Sequence, residues 1–453
     1  MSSQNKIDMT SGPLFKKIWI FSIPLMASGI LQLLYNAADI IVVGRAVGKS
    51  ALAAVGCTAP MVNLIVNLFM GLSVGSSVLI SQLSGAGRKD ELPKAVHTSV
   101  AVSIIGGLAV GLVGFIAAKP LLTLMGTPES FIDDSVLYVR IYFCGMPAIG
   151  VYNFTSAILR AVGDTKRPMI FLLISGTVNV VLNLFFVIVC GMSVDGVALA
   201  TVISQCVAAV LTVSCLIKSD DELKLHIKEI KITGKYLKPI ASIGIPACVQ
   251  GAIFSLSNML IQSSINSFGD TVVAGSSAGN SLDGFIYTAL NGISQATITF
   301  TAQNAGAGKY ERIRKVITNC LISILITSVV LGIIFIFAGR LLLSFYNKDP
   351  YVIDAGMVRL LWLAPTYFLC GFMEVFAGAI RGMGKSFLPT VVTLVGACGL
   401  RVLWLFTVFV LLPRPWVVYA SYPISWLITA IAHAFCFAVI YKKKTLKTEE
   451  PIS

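Results

Sequence analysis

The chain has 453 residues, of which 56% are hydrophobic and 12% charged. Soluble domains carry about 25% charged and about 45–50% apolar residues, so a soluble enzyme, a disordered chain and a collagen-like fibre are excluded. What remains is a polytopic membrane protein, in which the net charge of +13 has to be read by position before it is read as a nucleic-acid signal.

Twelve apolar stretches reach the length of about 20 residues that a spanning helix needs. They are 18–43, 53–83, 96–117, 136–160, 169–190, 196–217, 239–266, 275–304, 316–337, 357–380, 388–412 and 417–440. The first apolar run passes signal-peptide length without a small-residue cleavage site, so no cleavable leader is expected. It also carries a polar stripe: Ser28, Gln32, Tyr35, Asn36 and Asp39 are three or four residues apart and share one helix face. Lipid would reject that stripe, so it should face other helices or a wet cavity. A partly desolvated Asp39 can exchange a proton, or hold Na⁺ with nearby amide and hydroxyl oxygens. A structural hydrogen-bond network is the alternative. In the fifth span Asn179 and Asn183 stand four apart, and their amide oxygens can coordinate a cation or meet Asp39.

The stretch 218–238 is the longest charged loop, and it reads as a linker, partly helical, lying on the membrane surface. Beyond it, Asn258 and Gln262 give the seventh span a polar face. Asp283, Tyr287 and Asn291 do the same for the eighth, and Glu374 lies in the tenth. These are candidate substrate-cavity residues, because acids inside spans are functional by default. For Glu374 an ion pair with Arg401 is an equal alternative. The ten cysteines are scattered singly without a Cys-x-x-Cys pair, and His97, His226 and His433 have no ligand spacing. The cysteines read as small buried apolar residues, with no disulfide framework and no transition-metal site.

An even number of spans puts both termini on one side. Twenty-five of the 34 Lys and Arg residues fall in the termini and the even-numbered loops, which places both ends in the cytoplasm and removes the need for a nucleic-acid partner. The chain also repeats itself. GLSVGSSVLISQLSGAGRKDELPKA from Gly71 aligns without a gap to GISQATITFTAQNAGAGKYERIRKV from Gly292, an offset of 221. That offset also pairs Arg160 with Arg381, Gly163 with Gly384 and Pro168 with Pro389, while Pro24 and Asn36 match Pro246 and Asn258 one residue further on. Six spans per copy make these parallel repeats, an architecture that transporters use to rock two bundles around a central site. Asp39 maps onto Ile261, so the copies are chemically unequal. The domains expected are a first lobe 1–217, a linker 218–238, a second lobe 239–441 and a tail 442–453. The Gly-x-Gly runs lack a Lys-Ser/Thr ending and read as tight turns rather than phosphate cradles.

IPLMASGILQLLYNAADIIVVG, SQLSGAGR with its copy AQNAGAGK, and LRAVGDTKRP with its copy IRGMGKSFLP resemble the multidrug and toxic compound extrusion (MATE) family over nearly the whole chain. The resemblance implies an all-α membrane fold of two six-helix lobes forming a V. It implies efflux of mostly cationic or amphipathic organic compounds, driven by Na⁺ or H⁺ across a bacterial inner membrane, with no other cofactor and no obligate protein partner. It implies a coupling role for Asp39, where relatives carry an Asp, with Gln32, Tyr35, Asn36, Asn179 and Asn183 around it. Asp39, Asn179 and Asn183 would be the ligands if the ion is Na⁺. Many relatives carry Asp where this chain has Asn183, so a two-carboxylate site is not available. The rival readings are a lipid-linked oligosaccharide flippase of a related fold, which would show cationic residues at its cavity, and a non-transporting scaffold.

Overall fold

In the computed structural model, which describes residues 6–219 and 222–449, the described residues form helices and turns with no strand. The first half contains α1 (Leu14–Val42), α2 (Lys49–Gly85), α3 (Leu92–Leu124), α4 (Ile132–Cys144), α5 (Met146–Ala161), α6 (Lys166–Leu184) and α7 (Val194–Ile217). The second half contains α8 (Gly234–Asn266), α9 (Asp270–Gly306), α10 (Tyr310–Phe337), α11 (Gly339–Ser344), α12 (Pro350–Leu363), α13 (Tyr367–Gly382), α14 (Phe387–Thr393), α15 (Leu400–Phe406), α16 (Val408–Leu411) and α17 (Pro415–Glu449). Helix is what a chain this apolar must form in lipid, where each backbone N–H and C=O has to be satisfied within its own segment. Ile105, Leu108, Leu112 and Ile116 leave more than half of their surface open along one face of α3, as a lipid-facing stripe does.

Among the described residues, ten helical stretches are long and apolar enough to cross a membrane, and α4 with α5 make an eleventh if the pair counts as one span bent by 47°. The predicted span 136–160 is that bent pair, broken at Gly145. The predicted span 275–304 is α9. Its 37 residues reach about 55 Å, long enough to cross, but its polar side chains keep it out of the apolar set. The predicted span 388–412 is also interrupted, by a π-helical turn at Leu394–Gly399 between α14 and α15. Cys144, Cys190 and Cys206 are exposed where burial was expected, because an apolar residue in a membrane protein need not face inward.

The repeat is visible in the backbone. Gly87 and Gly308 have φ of 66° and 70°, Gly163 and Gly384 have 94° and 84°, and Gly48 and Gly269 have 117° and 85°. Each pair is separated by the same 221 residues, and this left-handed region favours glycine. The Gly-x-Gly runs are therefore the C-terminal turns of α2 and α9. Gly87 N–H donates to Ser84 O and Gly308 N–H to Ala305 O.

Contacts divide the chain into two compact units, Met1–Ile7 with Ala27–Cys248, and Asp8–Met26 with Val249–Ser453. These boundaries differ from the expected ones. The first part of α1 belongs with the second unit, where Phe21 stacks edge-on against Phe300 and Gly292 leaves room for Met26. The linker and the start of α8 belong with the first unit. Leu223, Leu225, Tyr236 and Ile240 are buried there in one core with Leu92, Val96, Ile158 and Leu216. The linker is thus strapped to protein. Among its described residues, helix occurs as a 3-10 turn, Ile227–Glu229, and as the start of α8 from Gly234. The His226 N–H donates to His97 Nε2 at 3.0 Å, and Lys89 meets Glu222 at 2.9 Å. The expected tail at 442–453 continues α17 as far as Glu449, and residues 450–453 lie outside the described residues.

Candidate functional site

In the first unit, α1 and α6 bring the sequence-predicted polar residues together. Gly176 has no side chain, so the Tyr35 ring lies directly on α6; a Cβ at Gly176 would fall 1.9 Å from that ring. The Tyr35 hydroxyl donates to Leu173 O at 3.2 Å. One turn along α1, Asp39 is half-buried, and its Oδ1 accepts from Asn183 Nδ2 at 2.5 Å. Asn183 is fully buried, with Nδ2 3.5 Å from Asn179 Oδ1, and Asn179 Nδ2 reaches Thr201 Oγ1 at 3.4 Å. Asn183 Oδ1 is buried and accepts no hydrogen bond. Oxygens therefore collect here: the Asp39 carboxylate, the orphaned Asn183 oxygen and the Asn179 oxygen. That donor set fits a proton or a hard monovalent cation. Both helices leave α geometry immediately after the site, in π-helical turns at Val43–Val47 and Phe185–Val189. Such turns occur mostly at functional positions. Gln32 and Asn36 are exposed and lie outside this network.

In the second unit the candidate cavity residues separate into two groups. Asp283 is buried in an ion pair: Arg359 Nε donates to its Oδ2 at 2.7 Å, while the Arg359 Nη atoms reach Ser276 at 3.3 Å and Asn280 at 2.8 Å. Glycines bring α9 and α12 close enough for this; a Cβ on Gly275 would lie 2.5 Å from Val352 O. Asp283 is therefore a paired structural charge and does not line an open cavity. Glu374 is half-buried and faces the charge of Arg381, with Tyr287 alongside. Arg381 donates to Gln250. The alternative pairing of Glu374 with Arg401 is not formed. Asn258 is exposed, Gln262 donates to Asn266 at 2.9 Å, and Asn291 is half-buried on α9.

Electrostatics outside the helices is that of tied-down turns. Burial would raise the Asp8 carboxyl, but hydrogen bonds from Ser11 and Thr10, with the Lys17 charge, hold it at about 2. The hydrogen bond from Lys235 keeps Glu91 below the ordinary glutamate range, and Lys89 does the same for Glu222. Asp164, in the LRAVGDTKRP motif, is pushed up by burial despite its contact with Arg167 Nε at 3.1 Å.

A family model described as MatE matches residues 24–185 and again 246–407. The chain belongs to the MatE family. The two matches are the two copies found in the sequence, and each begins at the proline of its first helix. Probable multidrug resistance protein YpnP of Bacillus subtilis is 30% identical over 399 residues, covering 87% of this chain and 88% of that one. A FAD transporter of Shewanella oneidensis (strain MR-1) is 25% identical over 391 residues, covering 85% and 86%. The fold matches that of a multidrug resistance MATE family transporter in its outward-facing conformation, with a TM-score of 0.91 at 22% identity over 98% of this chain and 99% of the other. The protein is a multi-pass membrane transporter of this family and not an enzyme.

Sequence reasoning missed Thr201 and Tyr138 as neighbours of this network, and the surroundings of Arg401. Tyr138 of α4 lies within electrostatic reach of Asp39. Thr201 has Ser204 and Gln205 at helical spacing, and Tyr138 has Ser135 and Tyr142, but neither residue is an acid inside a span, the signal that singled out the other candidates. Arg401 was visible as a charge inside a span, a signal that was read only as a partner for Glu374.

Proposed function

We propose that the chain is a secondary active antiporter that exports amphipathic organic compounds in exchange for Na⁺ or H⁺ bound at Asp39. One observation carries this: a membrane-embedded carboxylate shares a hydrogen bond with a buried amide whose own oxygen is left without a donor. Such an arrangement gains by taking up a cation and can release it again. The relatives named for multidrug resistance supply the export half of the reading. The Lys and Arg distribution supports a bacterial cytoplasmic membrane with both termini inside. The proposed substrate class is amphipathic organic compounds. A preference for cations loses its support, since Asp283 and Glu374 each face an arginine. One relative is named for FAD, which bears negative charge on its diphosphate.

The test is efflux of a fluorescent amphipathic dye from proteoliposomes with imposed Na⁺ or pH gradients. Asp39→Asn should abolish gradient-driven efflux at unchanged expression. Full activity in that variant removes the assigned role. Efflux at fixed pH with and without Na⁺ names the ion. Movement of a lipid-linked oligosaccharide without gradient dependence would install the flippase reading instead.

A further inference from the structure

Of the three arginines buried in the second unit, two have their counter-charges. Arg359 is paired with Asp283, and Arg381 faces Glu374. Arg401 is fully buried and pairs with no carboxylate among the described residues. Its Nε donates to Ser425 Oγ at 2.9 Å, while Nη1 and Nη2 have no acceptor. Three aromatic rings enclose the guanidinium: Tyr422 at 4.3 Å, Phe254 at 5.4 Å and Trp426 at 5.6 Å from its carbon to the ring centroids. Trp426 Nε1–H is itself buried without an acceptor. Donors therefore collect here with nothing to receive them, the reverse of the Asp39 site, where acceptors collect. A buried unpaired cation is unstable unless a partner completes it, and the partner this geometry lacks is an anion. Arg401 also stands two residues after the end of the π-helical turn Leu394–Gly399.

Ser425 has a second face. Together with Leu400, Leu403, Trp404, Ile424 and Ile428 it lines a groove of about 220 Å³, mostly apolar, between α15 and α17. A charged head beside Arg401 and an apolar body in this groove describe one kind of molecule. We propose that the second repeat binds an amphipathic organic anion, with a carboxylate or phosphate held by Arg401 and an aromatic or aliphatic body in the groove beside Ser425. Guanidinium geometry suits both head groups, since each offers two oxygens to its paired N–H groups. The inference rests on the transport reading only in calling this molecule a substrate.

The test uses the purified full chain in neutral maltoside micelles. Thermal unfolding is followed with 1-naphthoate, 1-naphthyl phosphate, neutral 1-naphthylmethanol and cationic 1-naphthylmethylammonium. The two anions should raise the midpoint by about 2–4 °C at saturation and the other two should not. Arg401→Lys should keep part of the shift and Arg401→Gln lose it, with anion affinity reduced about tenfold or more. If Arg401→Gln fails to fold, the wild-type contrast between anions and their neutral analogue decides alone. Equal shifts for anion and neutral compound overturn the proposal. So does an Arg401-dependent shift seen only in nanodiscs of phosphatidylglycerol against phosphatidylcholine, which would make the occupant a lipid headgroup. Asp39→Asn separates the two readings, because it should lose gradient-driven efflux and still bind the naphthyl anions as the wild type does.

Discussion

Asp283 and Arg359 neutralise each other in a place from which water is excluded. Arg359 is enclosed by Ser276, Asn280 and the rings of Tyr419 and Tyr422. Removing one partner of such a pair strands the other, at a cost of about 3–5 kcal/mol, whereas replacing both with apolar residues of similar volume is close to neutral. Asp283→Asn should therefore lower the thermal midpoint of the detergent-solubilised protein sharply, and Asp283→Leu with Arg359→Met should recover most of the loss. A double variant as unstable as the single one would mean that the pair does more than balance charge. The same residues show what a sequence can reveal at this scale. Asp39, Asn179 and Asn183 were legible because polar residues at helical spacing inside apolar runs have to meet something. Asp283 was legible as an oddity and misread as cavity-lining, because its partner lies 76 residues away and no periodicity links the two.

Helices were legible from apolar run length, and their interruptions were not. Bends at Gly145 and π-turns at 43–47, 185–189 and 394–399 depend on which backbone can approach which, and hydropathy does not record that. Close approach itself can be tested. A Cβ at Gly275 would stand 2.5 Å from Val352 O and 2.7 Å from Gly356 N, both backbone atoms, while a Cβ at Gly284 on the same helix meets nothing within 4 Å. Gly275→Ala should force α9 from α12 at a cost of about 1–3 kcal/mol, and Gly284→Ala should be neutral or slightly stabilising. The two melting curves check this, and equal effects would dissociate the clash from stability. The linker differs from expectation for a related reason: its charges point to the membrane surface, while Leu223 and Leu225 pack it into the core of the first unit. Its ion pairs add a pH dependence of definite sign. Glu91 and Glu222 are held below their ordinary range, so their contribution is present above the usual glutamate value of about 4.3 and is lost as pH falls through the lower folded-state values. Hydrogen exchange over residues 222–233, corrected for intrinsic rates, should show protection at neutral pH that falls in that acid window. Glu91→Gln with Glu222→Gln should show the weaker protection already at pH 7, and unchanged protection there would exclude the pairs as the cause.

At the scale of the whole chain one scaffold is written twice and given two chemistries. The duplication was legible because turns constrain sequence: the left-handed position after α2 favours glycine, and so does its copy after α9. The unit boundaries were not legible, since they run through the middle of α1 and α8, where the sequence pattern is continuous. The copies differ at the sites. Asp39 corresponds to Ile261, 99% buried, and at the 221-residue offset Asn179 and Asn183 correspond to Leu400 and Trp404, next to Arg401. The carboxylate proposed for ion coupling thus has amide neighbours in the first copy, while the equivalent positions of the second copy are apolar. Under the proposed role of Asp39, coupling should not be portable between copies. In an Asp39→Asn background, Ile261→Asp restores the carboxylate to the equivalent position but buries it without the amide neighbours that surround Asp39. The double variant should show no gradient-driven efflux and should melt below Asp39→Asn alone, since an unpaired carboxylate has been introduced into an apolar environment. Both are read from one preparation, by dye efflux in proteoliposomes and by thermal unfolding in detergent. Efflux regained by the double variant would show that the fold alone, whichever copy holds the acid, is enough to couple an ion.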